Sequence, residues 1–194
     1  GLTPLNNEET HPMMRNTPVY RPAPAITSGL GSGLQTQIEA LLKQPAASPL
    51  SESGKWVRDK TYAFGAVNEA LRPFPATLSD GHKSRNNQLL WHALAQIEGD
   101  IEAAKQRFGA GRIAVVMGTS TSGVDENIPL FQQVADGGAW RDVLFNQQQQ
   151  ILSAPADFVA DVYGLQGLCY GVSTACTSGA KALISAARLL RAGL

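Results

Sequence analysis

The sequence predicts a layered α/β fold with a largely parallel sheet, on three observations. A glycine turn joins a β-type run to a helical pattern in "APAITSGLGSGLQTQIEALLKQ" (23–44). The continuous apolar run "RIAVVMGTS" (112–120) reads as a strand buried on both faces. The β-branched and aromatic run "CYGVSTA" (169–175) leads directly into a helical pattern that continues almost to Leu194.

The elements follow in order. Residues 1–22 are rich in Pro, Asn and Thr without an apolar period and read as a loose arm, so the folded unit is expected at 23–194. Leu34, Ile38, Leu41 and Leu42 then share one helical face. Scattered Pro, Gly and Ser over 45–83 predict an irregular excursion. From Asn86 a helical period returns, with Leu90, Leu94, Ile97, Ile101, Ala104 and Phe108 stepping by four and three, and Gly99 placed to divide the run. The tract "FNQQQQIL" (145–152) reads as a solvated helix or loop. A helix over 155–163 closes at Gly164, and a strand over 168–174 and a terminal helix over 177–192 complete the order.

Charge and composition narrow the function classes. Lys plus Arg and Asp plus Glu each total 16, so no global field favours nucleic acid or an anionic membrane. No stretch approaches the ~20 apolar residues of a membrane span. The opening "GLTPLNNEETHPMM" has no basic region followed by an apolar one, and the expected compartment is the cytoplasm. The only two cysteines are Cys169 and Cys176. Along a strand they stand roughly 23 Å apart, whereas a disulfide needs Cα atoms within about 7 Å. Two unpaired thiols suit a reducing compartment. His11, His82 and His92 show no metal-ligand spacing and read as surface or packing residues, and no cofactor is expected.

Cys176 carries the chemistry. It falls where a strand meets a helix, beside the unpaired N–H groups at the positive end of the helix dipole. That dipole stabilises a thiolate by about 0.3–1 kcal/mol. The same N–H groups suit an oxyanion formed when the sulfur attacks a carbonyl. Small residues follow at Ser178, Gly179 and Ala180, where neighbouring backbone can approach. The plainer reading, a cysteine that merely packs at a crowded helix start, is outweighed by the agreement of strand, small-residue turn and amphipathic helix. Cys169, placed mid-strand, keeps the plain reading.

The segment "STACTSGAKALISAARLLRAG" resembles the active-site stretch of β-ketoacyl-acyl-carrier-protein synthases, condensing enzymes of the thiolase-like superfamily. "AITSGLGSGLQTQIEALL" resembles that family's first strand and turn, and "RIAVVMGTSTSGVDE" its strand and turn before the acyl pocket. The resemblance spans 23–194 and implies the N-terminal half of a thiolase-like fold, with a buried helix after the nucleophile. It implies that Cys176 takes an acyl chain from an acyl carrier protein. A carbanion from malonyl on a second carrier then attacks the acyl-cysteine. It also implies that Thr121 lines the acyl pocket, and that 168–174 pairs across the axis of a homodimer or a heterodimer with a related subunit. The family completes its site with two histidines and usually a lysine on the second half of its fold. No motif of that kind surrounds the three histidines here, so the chain is expected to be a fragment without condensing activity of its own.

Four other readings fit less well. "GLGSGL" fails the dinucleotide template because Leu34 stands where the third glycine belongs. No G-x-S-x-G hydrolase elbow occurs, since Gly171-Val172-Ser173-Thr174 continues with Ala175. A thiolase shares the cysteine elbow, but "STAC" favours the carrier-protein synthases. A non-catalytic partner or interaction fragment is the remaining alternative, and Cys176 argues against it.

Overall fold

The computed structural model describes residues 17–43, 48–122, 128–139, 147–149 and 151–194. At its centre two strands, β5 (Val115–Gly118) and β6 (Cys169–Val172), pair in parallel, with Val115 opposite Cys169 and Gly118 opposite Val172. Alternation along the strands assigns their faces. Val115, Met117 and Cys169 point to the core on α5 (Ala154–Tyr163), and a Cβ at Gly171 would meet Leu152 and Ser153 at the start of that helix. Gly118 points the other way, onto α6 (Ser178–Arg191). Helix, sheet and helix thus form the expected α/β layers.

The core lies on the α5 side. Trp91 and Leu94 from α2 (Arg85–Leu94) pack with Val115 and with Ala156, Phe158, Val159 and Tyr163 of α5. Phe158 is fully buried, edge-on to Phe74 at 5.8 Å and to Trp91 at 6.2 Å between ring centroids. Arg72 lies 3.6 Å over the Trp91 ring and donates to both oxygens of Glu98, which also accepts from the Tyr163 hydroxyl. Pro155 in the first turn of α5 and a left-handed Gly164 after its last bound that helix where the sequence places it.

Several expectations change in detail. The helical run from Asn86 divides at residues 95–97, not at Gly99, which lies inside α3 (Glu98–Phe108). At the break the Gln96 amide exchanges hydrogen bonds with the backbone N–H and C=O of Ile26, tying it to the strand region before the glycine turn. That region is an antiparallel hairpin of β1 (Thr27–Ser28) and β2 (Gly31–Ser32), separate from the parallel sheet. In α1 (Leu34–Leu42) the predicted apolar face is exposed and Gln37 is the buried residue. Gln37 accepts from the Ser28 hydroxyl and donates to the Gly31 carbonyl, so polar bonds hold this helix to the hairpin. The excursion at 45–83 contains a second antiparallel pair, β3 (Ser51–Ser53) and β4 (Tyr62–Phe64), and a further helix outside the expected order, α4 (Ile128–Ala135), follows β5. Within the glutamine tract, residues 147–149 form a tight turn against 80–82 with Gln149 buried, not solvated; 145, 146 and 150 lie outside the described residues.

The terminal helix is buried along one edge only. Ser178 and Ala182 are covered by the sheet, while Leu183 and Leu190 are 65% and 61% exposed in this chain. A helix in the outer layer contacts a two-stranded sheet on one side, which leaves its opposite apolar residues largely exposed among the described residues. Residues 17–22 of the predicted arm form neither helix nor strand, and the Thr17 carbonyl accepts from Arg191. Among the described residues no helix is long and apolar enough to cross a membrane.

Candidate active site

β6 ends at Val172, and after Ser173 and Thr174 the chain makes a single tight turn, Ala175–Thr177, before α6 opens at Ser178. Cys176 is the middle residue of that turn and is exposed. It therefore sits at the junction the sequence predicts, two residues before the helix itself. Ala175 is held at φ +53°, a left-handed conformation that costs a side-chain-bearing residue about 1–2 kcal/mol.

Hydroxyl groups bind the turn together. Thr177 donates to the Thr174 carbonyl at 2.7 Å, and the two threonine hydroxyls lie 2.9 Å apart. The Ser178 hydroxyl donates to the Ala175 carbonyl at 2.7 Å and accepts the Thr174 N–H at 3.0 Å. The close backbone approach expected at the small residues after the cysteine occurs at Ser178 and Gly179, against Gly118 of β5. A Cβ at Gly118 would stand 2.5 Å from the Ser178 carbonyl oxygen, whereas a Cβ at Gly179 would face open space. Gly118 is thus the site residue that sequence reasoning missed, and Ser178 was read for its size and not for its hydroxyl. The small-residue run was visible, but the atoms it meets were not.

Cys169 is the first residue of β6, not a mid-strand one. Its thiol donates to Asp157, whose other oxygen accepts from Ser153. Burial, reinforced by the neighbouring Asp157 carboxylate, pushes the Cys169 thiol up to about 11. A haloacetamide at pH 8 is therefore expected to label Cys176 and spare Cys169, with peptide mass spectrometry as the readout. Labelling of Cys169 then rises about tenfold per pH unit until near 11, because the thiolate is the reacting form. The folded thiol holds its proton to higher pH than the unfolded one, so its contribution to stability is complete below the ordinary thiol range. That contribution is lost as pH climbs toward about 11. Tyr163, raised to about 12 by burial and by the Glu98 charge, acts in the same direction at still higher pH.

Thr121 lies exposed in the turn after β5. That turn is fixed by Ser122, at φ +51°, whose N–H bonds the Thr119 hydroxyl and whose hydroxyl bonds the Ile151 carbonyl. Thr119, not Thr121, lines an adjoining groove of about 250 Å³ shared with Thr27, Leu90, Ala93 and Met117. The groove opens at the carboxyl end of β5, the usual side for ligands in a parallel sheet.

The described histidines are engaged in the scaffold. His82, buried, bonds Asp161 through Nε2 at 2.6 Å. His92 accepts the Arg72 N–H at Nδ1, which leaves the ring proton on Nε2 to donate to Glu69. That bond, with help from Ser32, holds the Glu69 carboxyl below its ordinary value. His11 lies outside the described residues. No cluster suited to a metal ion occurs among the described residues.

Residues 59–194 match the family described as "Beta-ketoacyl synthase, N-terminal domain". The solved structure of a ketosynthase (ApeO) in complex with its chain length factor (ApeC), from Xenorhabdus doucetiae, is 35% identical. It superposes with a TM-score of 0.75 over 88% of this chain and 43% of its own. A β-ketoacyl synthase from Burkholderia phymatum STM815, 21% identical, shares the fold with a TM-score of 0.62 over 87% of this chain and 42% of its own. The chain therefore spans less than half the length of either. No curated protein compared with it is similar.

Proposed function

Because the chain belongs to the β-ketoacyl synthase family, we propose that Cys176 is the acyl acceptor of a decarboxylative condensing enzyme. The observation that supports this most is the exposed thiol on the strained turn between β6 and α6. Its sulfur attacks the carbonyl of an acyl chain thioesterified to a carrier protein. The tetrahedral intermediate collapses with loss of the carrier thiol, which takes the proton from Cys176, and a cysteine thioester remains. Malonyl on a second carrier loses carbon dioxide, and the resulting enolate attacks that thioester. The new carbon–carbon bond leaves a β-ketoacyl carrier and returns the free thiol.

The described residues serve the loading half of this cycle. His82 and His92 are bonded to Asp161 and Glu69, and neither is offered here as a decarboxylation group. Thr121 and the nearby groove at Thr119 fit a role in receiving the acyl chain. The edge of β6 away from β5 pairs with no strand among the described residues. It fits pairing with a second subunit, either a copy or a related chain, as in the ketosynthase complexed with its chain length factor. We take 23–194 as the folded unit and the cytoplasm as its compartment.

Incubating the protein with an acyl-carrier thioester is expected to add one acyl mass to the peptide containing Cys176, seen by mass spectrometry. An adduct on another residue, or none, rejects the assignment.

A further inference from the structure

Resting on the reading of Cys176 as acyl acceptor, we propose that Ser178 is a positioning residue: its hydroxyl sets the orientation of the Ala175–Cys176 peptide and so the aim of the thiol. Ser178 is 5% exposed. One hydroxyl makes both bonds, accepting the Thr174 N–H before Ala175 and donating to the Ala175 carbonyl after its Cα. These two groups bracket the one left-handed residue of the turn. Such a conformation persists only where the surroundings hold it.

The consequence for Cys176 follows from peptide planarity. The Ala175 carbonyl and the Cys176 N–H belong to one rigid trans unit and point in opposite directions. Holding that carbonyl at 2.7 Å turns the Cys176 N–H away from Ser178 and so fixes the direction in which it can donate to an oxyanion on the attacked thioester. Ser178 is anchored in turn, since its own carbonyl abuts Gly118 too closely for any side chain at that position. A line of contact thus runs from the end of β5 through Ser178 to the reacting residue. Thr177 also bonds within the turn, but it is exposed and water competes for its hydroxyl.

The test compares two reactions at one sulfur in the 194-residue chain. Transfer from an acyl-carrier thioester needs an oriented thiol and N–H, whereas alkylation by iodoacetamide needs an accessible thiolate but no oriented N–H. Ser178→Ala is expected to slow acyl transfer to Cys176 by roughly 10–100-fold and to leave alkylation within about threefold. Ser178→Thr, which keeps the hydroxyl, is expected to restore transfer. Protection of Cys169 from alkylation reports that the fold is intact. The proposal is overturned if Ser178→Ala transfers at the parent rate, or if both reactions slow together. It is also overturned if Ser178→Thr is as slow as Ser178→Ala, or if Ser178→Ala exposes Cys169, which makes the hydroxyl a folding element. All four outcomes leave Cys176 as acceptor, whereas a parent chain that forms no adduct at Cys176 removes that reading and the positioning role with it.

Discussion

Cys176→Ala is expected to take up no acyl group from a carrier thioester, while its melting temperature stays within about 2 °C of the parent. Loss of a nucleophile costs on the order of 10⁶-fold in turnover where such residues have been dissected. The remaining thiol cannot substitute, because Cys169 is bonded to Asp157 and keeps its proton to about pH 11. Stability should hardly change, since Cys176 is exposed and such substitutions usually stay within about 0.5 kcal/mol. Intact-mass spectrometry after incubation, with a thermal melt beside it, separates the two effects. An acyl adduct that persists in Cys176→Ala contradicts the proposed chemistry. Cys169→Ala is the matching control and should load normally.

The largest stability effect is expected at Phe158→Ala. The ring is fully buried and packs edge-on against Phe74 and Trp91, beside His82. Truncating a buried phenylalanine costs about 3–5 kcal/mol through lost transfer energy and the cavity left behind. In a domain of this size each kcal/mol lowers the melting temperature by roughly 2–4 °C, so the fall should be roughly 6–20 °C. The loss should also reach Cys169, which shares the α5 face of the sheet and should become open to alkylation at pH 8. A melting temperature within about 3 °C of the parent would show that α5 is not the centre of this core.

The site was legible to different depths. The junction of strand, turn and helix around Cys176 follows from local pattern: β-branched residues up to Thr174, then apolar residues at helical spacing from Ala180. The bounds of α5 follow from Pro155 and Gly164, whose backbone preferences act whatever lies nearby. The apolar face of α1 misled, because periodicity records which residues share a face and not whether anything covers it. Propensity points to Gly99 for the break after α2, yet the chain turns at 95–97, where Gln96 is bonded to Ile26, 70 residues away.

By itself, then, the sequence determined the helices and strands around β5 and β6, the layered class and the placing of one thiol at a strand-to-helix turn. Those features arise from short-range rules of periodicity, turn chemistry and helix ends. The tertiary structure alone decided that Ser178 grips the turn, that Gly118 must leave room for α6, and that burial beside Asp157 keeps Cys169 protonated. Each is a meeting of atoms brought together by the packing of α5 and α6 on opposite faces of β5 and β6, and no spacing along the chain encodes which groups will face one another.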